Sequence, residues 1–339
     1  MNTLLATMER ASKLVPNPLR SAAAAPLNSL EENAGSVAVL LCTFNGGRFL
    51  REQLESIAAQ SHSNWVIYAS DDGSMDETIE ILRQYQQIWG EDRLMLSQGP
   101  QSGFTNNFLT VLGRACGQHA YYAFCDQDDY WHPTKLQRAL SWLEQQPARQ
   151  PSLYCGRTQV IDSTGKTLGL SPLFGKRPSF ENALMQSLAG GNTMMINQAA
   201  CSLLRETPAD TPLVCHDWWA YLLVTGCGGN VYYDPTPTLD YRQHNQNVIG
   251  ANTSIKSRLN RLNRMLKGSF SEWNTINIAA LNTVSSQLTP GNLVNLKRFE
   301  RARNAPLATR VKLMLRSRFY RQTLWGNLGL ALAVLIKRI

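Results

Sequence analysis

Apolar runs alternate with helix-patterned segments in the first half of the chain, and this order constrains the fold more than any other feature. Residues 37–44 form a continuous apolar run, which is typical of a strand buried on both faces. Similar runs occupy 65–69, 94–96 and 121–125, and apolar residues at helical spacing separate them. This β-α-β-α-β-α-β order predicts an α/β fold, a mostly parallel sheet with helices on both faces.

Polar clusters follow three of these four runs. They are Thr43-Phe44-Asn45 after the first run, Asp71-Asp72 after the second and Asp126-Gln127-Asp128-Asp129 after the fourth. Because the carboxyl ends of parallel strands meet at one edge of a sheet, and ligands of such folds bind beyond that edge, the clusters are expected to converge. The sequence therefore predicts one ligand site built from all three.

The cluster Asp126–Asp129 carries the most specific chemistry. Carboxylate oxygens suit hard divalent cations that pair with substrate phosphates, so Mg²⁺ or Mn²⁺ is the expected cofactor. Several carboxylates behind an apolar strand repel one another unless a cation is present. A solvated acidic turn is the alternative interpretation, and Asp129 could simply cap the helix expected after Pro133.

The second acidic cluster suits a nucleotide. A carboxylate at a strand end can accept the imide N–H of a pyrimidine base or bond a ribose hydroxyl. Helix capping is the competing interpretation, and it explains Ser74 and Asp76 better than it explains Asp71.

The second half of the chain has a more mixed pattern. Residues 152–161 and 231–233 read as strands, and residues 217–225 read as a helix. A further strand-like segment at 239–242 leads into His244. Helical, basic sequence follows residue 251.

Charge divides the chain into two unequal parts. Residues 1–250 contain 17 Lys/Arg and 23 Asp/Glu, whereas residues 251–339 contain 16 Lys/Arg and 2 Asp/Glu. Basic residues interleaved with apolar ones predict amphipathic helices that favour anionic lipid. A solvated helical face packed on the rest of the protein is the alternative. The uncharged run 322–336 is short of the roughly 20 residues that span a bilayer, which favours the interface.

The predicted organisation has three parts. Residues 1–35 are expected to be a poorly ordered extension with a short helix near 3–14 and no secretory signal. Residues 36–250 are the expected catalytic domain, and 251–339 the basic, membrane-associating helical region. Seven scattered cysteines without a CxxC pair indicate free thiols in a reducing cytosol.

Motifs in chain order resemble the family 2 glycosyltransferases of the GT-A fold, in particular rhamnosyltransferase-like bacterial members. The motifs are Leu41-Cys42-Thr43-Phe44-Asn45, Leu54-Glu55-Ser56-Ile57 with Gln60, Asp71-Asp72-Gly73-Ser74 with Asp76 and Thr78, and Asp126-Gln127-Asp128-Asp129 with Trp131 and Lys135. The resemblance covers roughly residues 37–250 and implies transfer of a sugar with inversion. It implies a dTDP- or UDP-sugar donor and a saccharide or lipid-linked acceptor in cell-surface polysaccharide such as O-antigen.

The resemblance also implies roles for individual residues. Those that would line the nucleotide pocket are Thr43, Phe44, Asn45, Asp71, Asp72 and Asp126. Asp128 would hold the metal, and Gly191-Asn192 would lie near the acceptor or donor sugar. A tight turn is the alternative for this Gly-Asn pair.

Candidate catalytic residues follow in the second half. Inversion needs a carboxylate that deprotonates the acceptor hydroxyl, and Asp217 at a helix start matches the family's base. The adjacent Trp218 and Trp219 could contact an acceptor sugar or pack in the core. His244 and Arg242 suit a metal ligand and a diphosphate clamp.

Two other functions fit the sequence less well. A nucleotidyltransferase also uses paired acids and a metal, but it would show a Gly-rich, basic loop after the first strand, which 43–48 does not match. Nucleic-acid binding through the basic tail is disfavoured by the acidic body and the lack of an aromatic-basic motif. The sequence therefore favours a cytoplasmic enzyme, peripheral on the inner face of the membrane. Removal of residues after about 255 would then release it from membranes, if the remainder folds.

Overall fold

The computed structural model describes residues 35–244 and 268–339. The predicted extension up to residue 34, the segment 245–250 and the basic residues of 251–267 lie outside the described residues.

Strands of the described residues form two sheets. In chain order they are β1 Val37–Thr43, β2 Trp65–Asp71, β3 Leu94–Gln98, β4 Tyr121–Cys125, β5 Tyr130–Trp131, β6 Ser152–Gly156, β7 Gln159–Asp162, β8 Thr167–Leu170, β9 Met195–Asn197, β10 Asn230–Asp234 and β11 Leu239–Gln243. The main sheet has the order β10-β6-β9-β4-β1-β2-β3, and only β9 runs antiparallel to its neighbours. The predicted mostly parallel sheet is confirmed.

A second sheet of order β5-β11-β7-β8 stands beside the first. The prediction of one strand over 152–161 was wrong, because β6 and β7 belong to different sheets. Arg157 N still donates to Asp234 O of β10 (3.0 Å), whereas Thr158 N donates to Ser171 Oγ (3.0 Å), so the chain leaves the first sheet between these two residues.

Helices cover both faces of the main sheet. They are α1 Gly47–Ala58, α2 Thr78–Trp89, α3 Phe104–Ala115, α4 Lys135–Leu143, α5 Phe180–Ala183, α6 Gln198–Arg205, α7 His216–Gly226, α8 Ser269–Thr283, α9 Pro290–Asn304, α10 Leu307–Ser317 and α11 Leu324–Leu335. Alternate residues of β1 enter two separate cores. Val39 packs with α1, α2 and α4, whereas Leu40 packs with α3, α6 and α7. This two-faced burial is the reason for the continuous apolar run in the sequence.

Helices α8–α11 belong to the same core as α7. Leu281, Leu296 and Ala333 have no exposed surface, and they share one hydrophobic cluster with Leu222 and Leu223 of α7. The C-terminal helices therefore complete the core on that face of the sheet. Among the helices that the structure describes, none combines the length and apolar character needed to cross a bilayer.

Candidate active site

Parallel register brings the predicted clusters to one edge of the main sheet. Thr43 at the end of β1 pairs with Asp71 at the end of β2, and Leu41 pairs with Cys125, the last residue of β4. The loop Asp126–Asp129 therefore begins beside the end of β1. The expected convergence at the carboxyl ends of these strands is confirmed.

Asp71 is buried and organises the turn after β2. Its Oδ1 accepts from the Thr43 hydroxyl (2.8 Å) and the Ser74 hydroxyl (2.5 Å), and its Oδ2 accepts from Gly73 N (3.1 Å) and Ser74 N (2.8 Å). These bonds fix the conformation of the predicted nucleotide loop. Direct contact of Thr43 and Asp71 with a nucleotide stays a prediction.

Asp72 holds the loop that follows β3. It accepts from Gln101 N (2.6 Å) and Gly103 N (3.0 Å). Burial raises the pKa of Asp72, and these backbone N–H groups oppose that rise. The carboxylate thus shapes one wall of the site.

The turn after β1 is tied to the acidic loop by Gln127. Its amide accepts from Phe44 N (2.8 Å) and donates to Phe44 O (3.1 Å), while the Phe44 ring is exposed. A Cβ on Gly46 would overlap the end of the Gln127 side chain, so a larger residue there would displace Gln127. Asn45 adopts a positive φ of 49°, and its Oδ1 accepts from Met75 N (2.8 Å).

Three carboxylates approach one another at the centre of the site. Burial, together with the negative charges of Asp128 and Asp217, raises the pKa of Asp126 to about 7. The predicted base therefore lies close enough to the acidic loop to repel it, although the two are far apart in sequence. Such repulsion is the electrostatic condition that a bound cation relieves.

Asp128 and His244 form the predicted metal pair. His244 Nε2 lies 2.8 Å from Asp128 Oδ2, and the imidazole also lies 5.1 Å from the ring of Phe49, measured between centroids. No group of three or more His, Cys, Asp or Glu side chains within 35–244 and 268–339 is arranged as a complete metal cage. Two protein ligands suit Mg²⁺ or Mn²⁺ where substrate phosphates supply the others, so the residues fit such a cation.

Asp129 is fully buried and holds two other elements in place. Its Oδ2 accepts from the Asn192 amide (2.5 Å), and its Oδ1 accepts from Arg242 N (3.4 Å). Burial raises its pKa well above the ordinary value, and the charges of Asp128 and Asp126 add to the effect. The suggestion that Asp129 caps a helix was wrong, since α4 starts six residues later without a side-chain cap.

Arg242 lies beneath the acidic loop. Its Nε donates to Asp128 O (3.1 Å), its guanidinium pairs with Glu52 (2.5 Å), and it stacks 4.6 Å from the centroid of the Phe49 ring. Only 3% of the residue is exposed. These contacts give Arg242 a role in positioning Asp128, and a bond to a diphosphate stays a prediction.

Asp217 stands in the first turn of α7, where the positive end of the helix dipole stabilises a carboxylate. The next two residues do not reach the site. Trp218 donates from Nε1 to Ala183 O (2.7 Å), and Trp219 donates to the Thr207 hydroxyl (2.8 Å). Of the two alternatives for these tryptophans, contact with an acceptor sugar was wrong, because both pack in the core with 4% and 0% of their surface exposed.

His216 directly precedes the predicted base in sequence, and its side chain is buried. Its ring stacks on Phe108 at 4.0 Å between centroids, and burial lowers its pKa to about 4, so the imidazole is neutral at pH 7. A Cβ on Gly191 would overlap this ring, which explains the glycine. Gly191 and Asn192 lie in a short 3-10 helix, Gly191–Thr193, between the base and the acidic loop.

The positioning roles of three residues were not predicted from the sequence. Gln127, Asp129 and Glu52 hold the site through bonds to residues between 63 and 190 positions away. The signal available in the sequence was the occurrence of Gln127 and Asp129 inside the acidic loop itself. Nothing comparable distinguished Glu52 from other charged residues of α1.

The fold and the acidic site define a glycosyltransferase of the GT-A class. A model of the family described as "Glycosyl transferase family 2" matches residues 38–210, and the chain belongs to that family. It is similar to the dTDP-rhamnosyl transferase RfbG of Shigella flexneri, with 26% identity over 238 residues that cover 66% of this chain and 78% of the relative.

Two solved structures share the fold at low sequence identity. S. aureus TarS 1–349 in complex with UDP aligns with a TM-score of 0.50 and 15% identity, over 89% of each chain. GalNAc-T7 with UDP, GalNAc and Mn²⁺ aligns with a TM-score of 0.51 and 11% identity, over 88% of this chain and 57% of the other.

Proposed function

We propose that the protein transfers a sugar with inversion from a nucleoside diphosphate donor to a hydroxyl of a lipid-linked or growing cell-surface polysaccharide. The observation that carries this proposal is the convergence of Asp217 on the acidic loop, where its charge contributes to the pKa of Asp126 of about 7. A base beside a diphosphate site is the arrangement that direct displacement requires.

Asp217 acts as the general base of the reaction. It takes the proton of the acceptor hydroxyl while the hydroxyl oxygen bonds to the anomeric carbon of the donor. The bond from that carbon to the diphosphate breaks in the same displacement, and the nucleoside diphosphate leaves with the electron pair. Displacement on the opposite face inverts the anomeric configuration.

Asp128 and His244 are the residues that would hold Mg²⁺ or Mn²⁺. A divalent cation bound there would neutralise the charge that develops on the leaving diphosphate. Asp129 and Arg242 keep Asp128 in place through the bonds described above. The Mn²⁺ named for the GalNAc-T7 structure supports the choice of a divalent cation.

The donor is proposed to carry L-rhamnose on dTDP, with a UDP-sugar as the second candidate. The similarity to a dTDP-rhamnosyl transferase supports the first, and the UDP bound to TarS supports the second. Phe44, Asn45 and Asp72 border the proposed nucleotide pocket. Gly191-Asn192 borders the sugar on the side of the base.

The acceptor is proposed to be a saccharide, lipid-linked or part of O-antigen, at the cytoplasmic face of the membrane. The enzyme would then work as a peripheral protein on an anionic surface. The strongly basic balance of residues 251–339 supports this placement.

A donor panel tests the proposed function. The purified chain is incubated with dTDP-rhamnose, UDP-GlcNAc and GDP-mannose, with Mn²⁺ or with EDTA, and two quantities are measured: the thermal shift, and the slow release of nucleoside diphosphate by hydrolysis, in which water takes the place of the acceptor hydroxyl. We expect stabilisation and release with one dTDP- or UDP-sugar in Mn²⁺ and loss of both in EDTA. Absence of stabilisation by every donor in the presence of metal would contradict the proposal.

A further inference from the structure

Helix α11 leaves an apolar face uncovered. Leu330, Ala333 and Val334 pack into the core, whereas the opposite face is open to solvent. Trp325 is 74% exposed and Leu328 is 53% exposed. The other large apolar side chains on the open face are Leu324, Leu332, Leu335 and, directly after the helix, Ile336.

An uncharged helix that is apolar on all sides is ordinarily buried on all sides. No charged residue occurs from Gln322 to Ile336, and yet only one side of α11 is covered by the described chain. A contiguous exposed apolar face of this kind marks a docking surface rather than ordinary protein surface.

Basic residues flank the face and lack acidic neighbours in sequence. From Arg301 to Ile339 the chain has nine Lys/Arg and no Asp or Glu. Arg316 and Arg318 before the helix are exposed, as are Lys337 and Arg338 after it. Apolar side chains between cationic ends match the acyl boundary and the anionic headgroups of a bilayer.

We propose that the open face of α11 lies in the interfacial plane of an anionic bilayer. A second copy of the chain is the competing occupant, but pairing this face with itself would bring the same cationic ends together without acidic partners. An anionic lipid surface supplies the missing counter-charge. The proposal deepens the proposed function, on which it rests only for the nature of the acceptor.

The segment directly before α11 is bonded to residues near the proposed acceptor side of the site. Gln322 N donates to Gln186 Oε1 (3.0 Å), and the Asn182 amide donates to Tyr320 O (3.0 Å). The segment that holds Asn182 and Gln186 continues directly into Gly191-Asn192. Docking through α11 therefore fixes the acceptor side of the site relative to the membrane.

Vesicle sedimentation of the full chain tests the proposal. Vesicles of phosphatidylcholine alone are compared with vesicles containing 30% phosphatidylglycerol, as about a third anionic lipid gives a strong negative surface potential. The variant Trp325→Glu with Leu328→Glu changes two exposed side chains and should fold. The control Ile88→Glu changes a side chain on α2 that is 72% exposed.

We expect the wild type and Ile88→Glu to bind the anionic vesicles, and the double variant to bind at least tenfold more weakly. All three proteins should show the same thermal shift with a nucleoside diphosphate and Mn²⁺, which separates docking from the proposed function. Equal vesicle binding by the double variant would overturn the proposal. So would no binding by the wild type, or a wild-type dimer in analytical ultracentrifugation that the double variant dissociates.

Discussion

At the scale of residues, four consecutive side chains do four different jobs. Asp126 faces two other carboxylates, Gln127 ties down the turn after β1, Asp128 pairs with His244, and Asp129 is buried beneath them. The sequence predicted an acidic site because residue types and their place after a strand were visible. The sequence could not show which role each residue has, since the residues that each one contacts are distant in sequence and come close only in the folded protein.

The buried Asp129 gives the first prediction at this scale. Asp129→Ala leaves the buried Asn192 amide without its acceptor, so the free energy of unfolding should fall by about 1–3 kcal/mol. Transfer activity should fall with it, because Arg242 and Asn192 lose their anchor. Urea denaturation and turnover measure both effects. Asp210→Ala, at an exposed acid, is the control and should change neither.

Gly46 gives the second prediction. Gly46→Ala should displace the Gln127 side chain and weaken nucleoside diphosphate binding by about tenfold, equivalent to about 1.4 kcal/mol. Gln127→Ala should weaken binding to a similar degree, and the double variant should be no worse than either single one. Gly291→Ala meets open space and serves as the control. Calorimetric titration measures the binding. If the losses of binding free energy of the two single variants add up in the double variant, Gly46 and Gln127 do not act together.

At the scale of elements, the strand–helix order was predictable and the departures have local causes. Periodicity located β1 to β4 and α7 to within two residues. The antiparallel β9 and the division between β6 and β7 depend on pairing partners far along the chain, which periodicity does not reveal. The all-round apolar character of α7 did indicate burial of Trp218 and Trp219, a signal outweighed by their proximity to Asp217.

Lys135, the first residue of α4, gives a prediction about pH. It is buried with Nζ 4.3 Å from the Trp131 ring centroid, and burial lowers its pKa from 10.5 to about 8. Between pH 8 and 10.5 the unfolded chain therefore binds a proton that the folded chain lacks, so this lysine makes stability rise with pH. Below pH 8 the charged, buried form is destabilising.

Comparison with Lys135→Met isolates that contribution. The free energy of unfolding of the wild type minus that of the variant should increase by up to about 1.4 kcal/mol per pH unit between pH 8 and 10. Urea denaturation at closely spaced pH values measures the difference. If this difference in the free energy of unfolding stays constant or falls as the pH rises, the pKa of Lys135 is not lowered in the folded protein.

At the scale of the whole molecule, the C-terminal region is not simply a tail beside the catalytic domain, since it shares a hydrophobic core with that domain. The sequence showed the charge asymmetry, but the apolar residues among the basic ones fill a core shared with α7 as well as facing outward. Charge and periodicity alone could not separate these two groups. Only α11 keeps a large apolar face that the described chain leaves open.

Truncation tests this shared core. Removal of residues after about 255 should expose Leu222, Leu223 and their neighbours on α7, so the shortened chain should be insoluble or lose its cooperative thermal transition. Circular dichroism and sedimentation of the purified fragment measure the outcome. A soluble fragment with a sharp transition would show that the C-terminal helices are a separate unit.

The central claim is that Asp217 is the base of a displacement at the acidic site, and one paired measurement tests it. Turnover and donor binding are measured for the wild type and Asp217→Asn, with the donor that the panel identifies. We predict a loss of turnover of about 10²–10⁴-fold with the dissociation constant of the donor nearly unchanged. A variant that keeps its turnover, or that loses donor binding to the same extent, would contradict it.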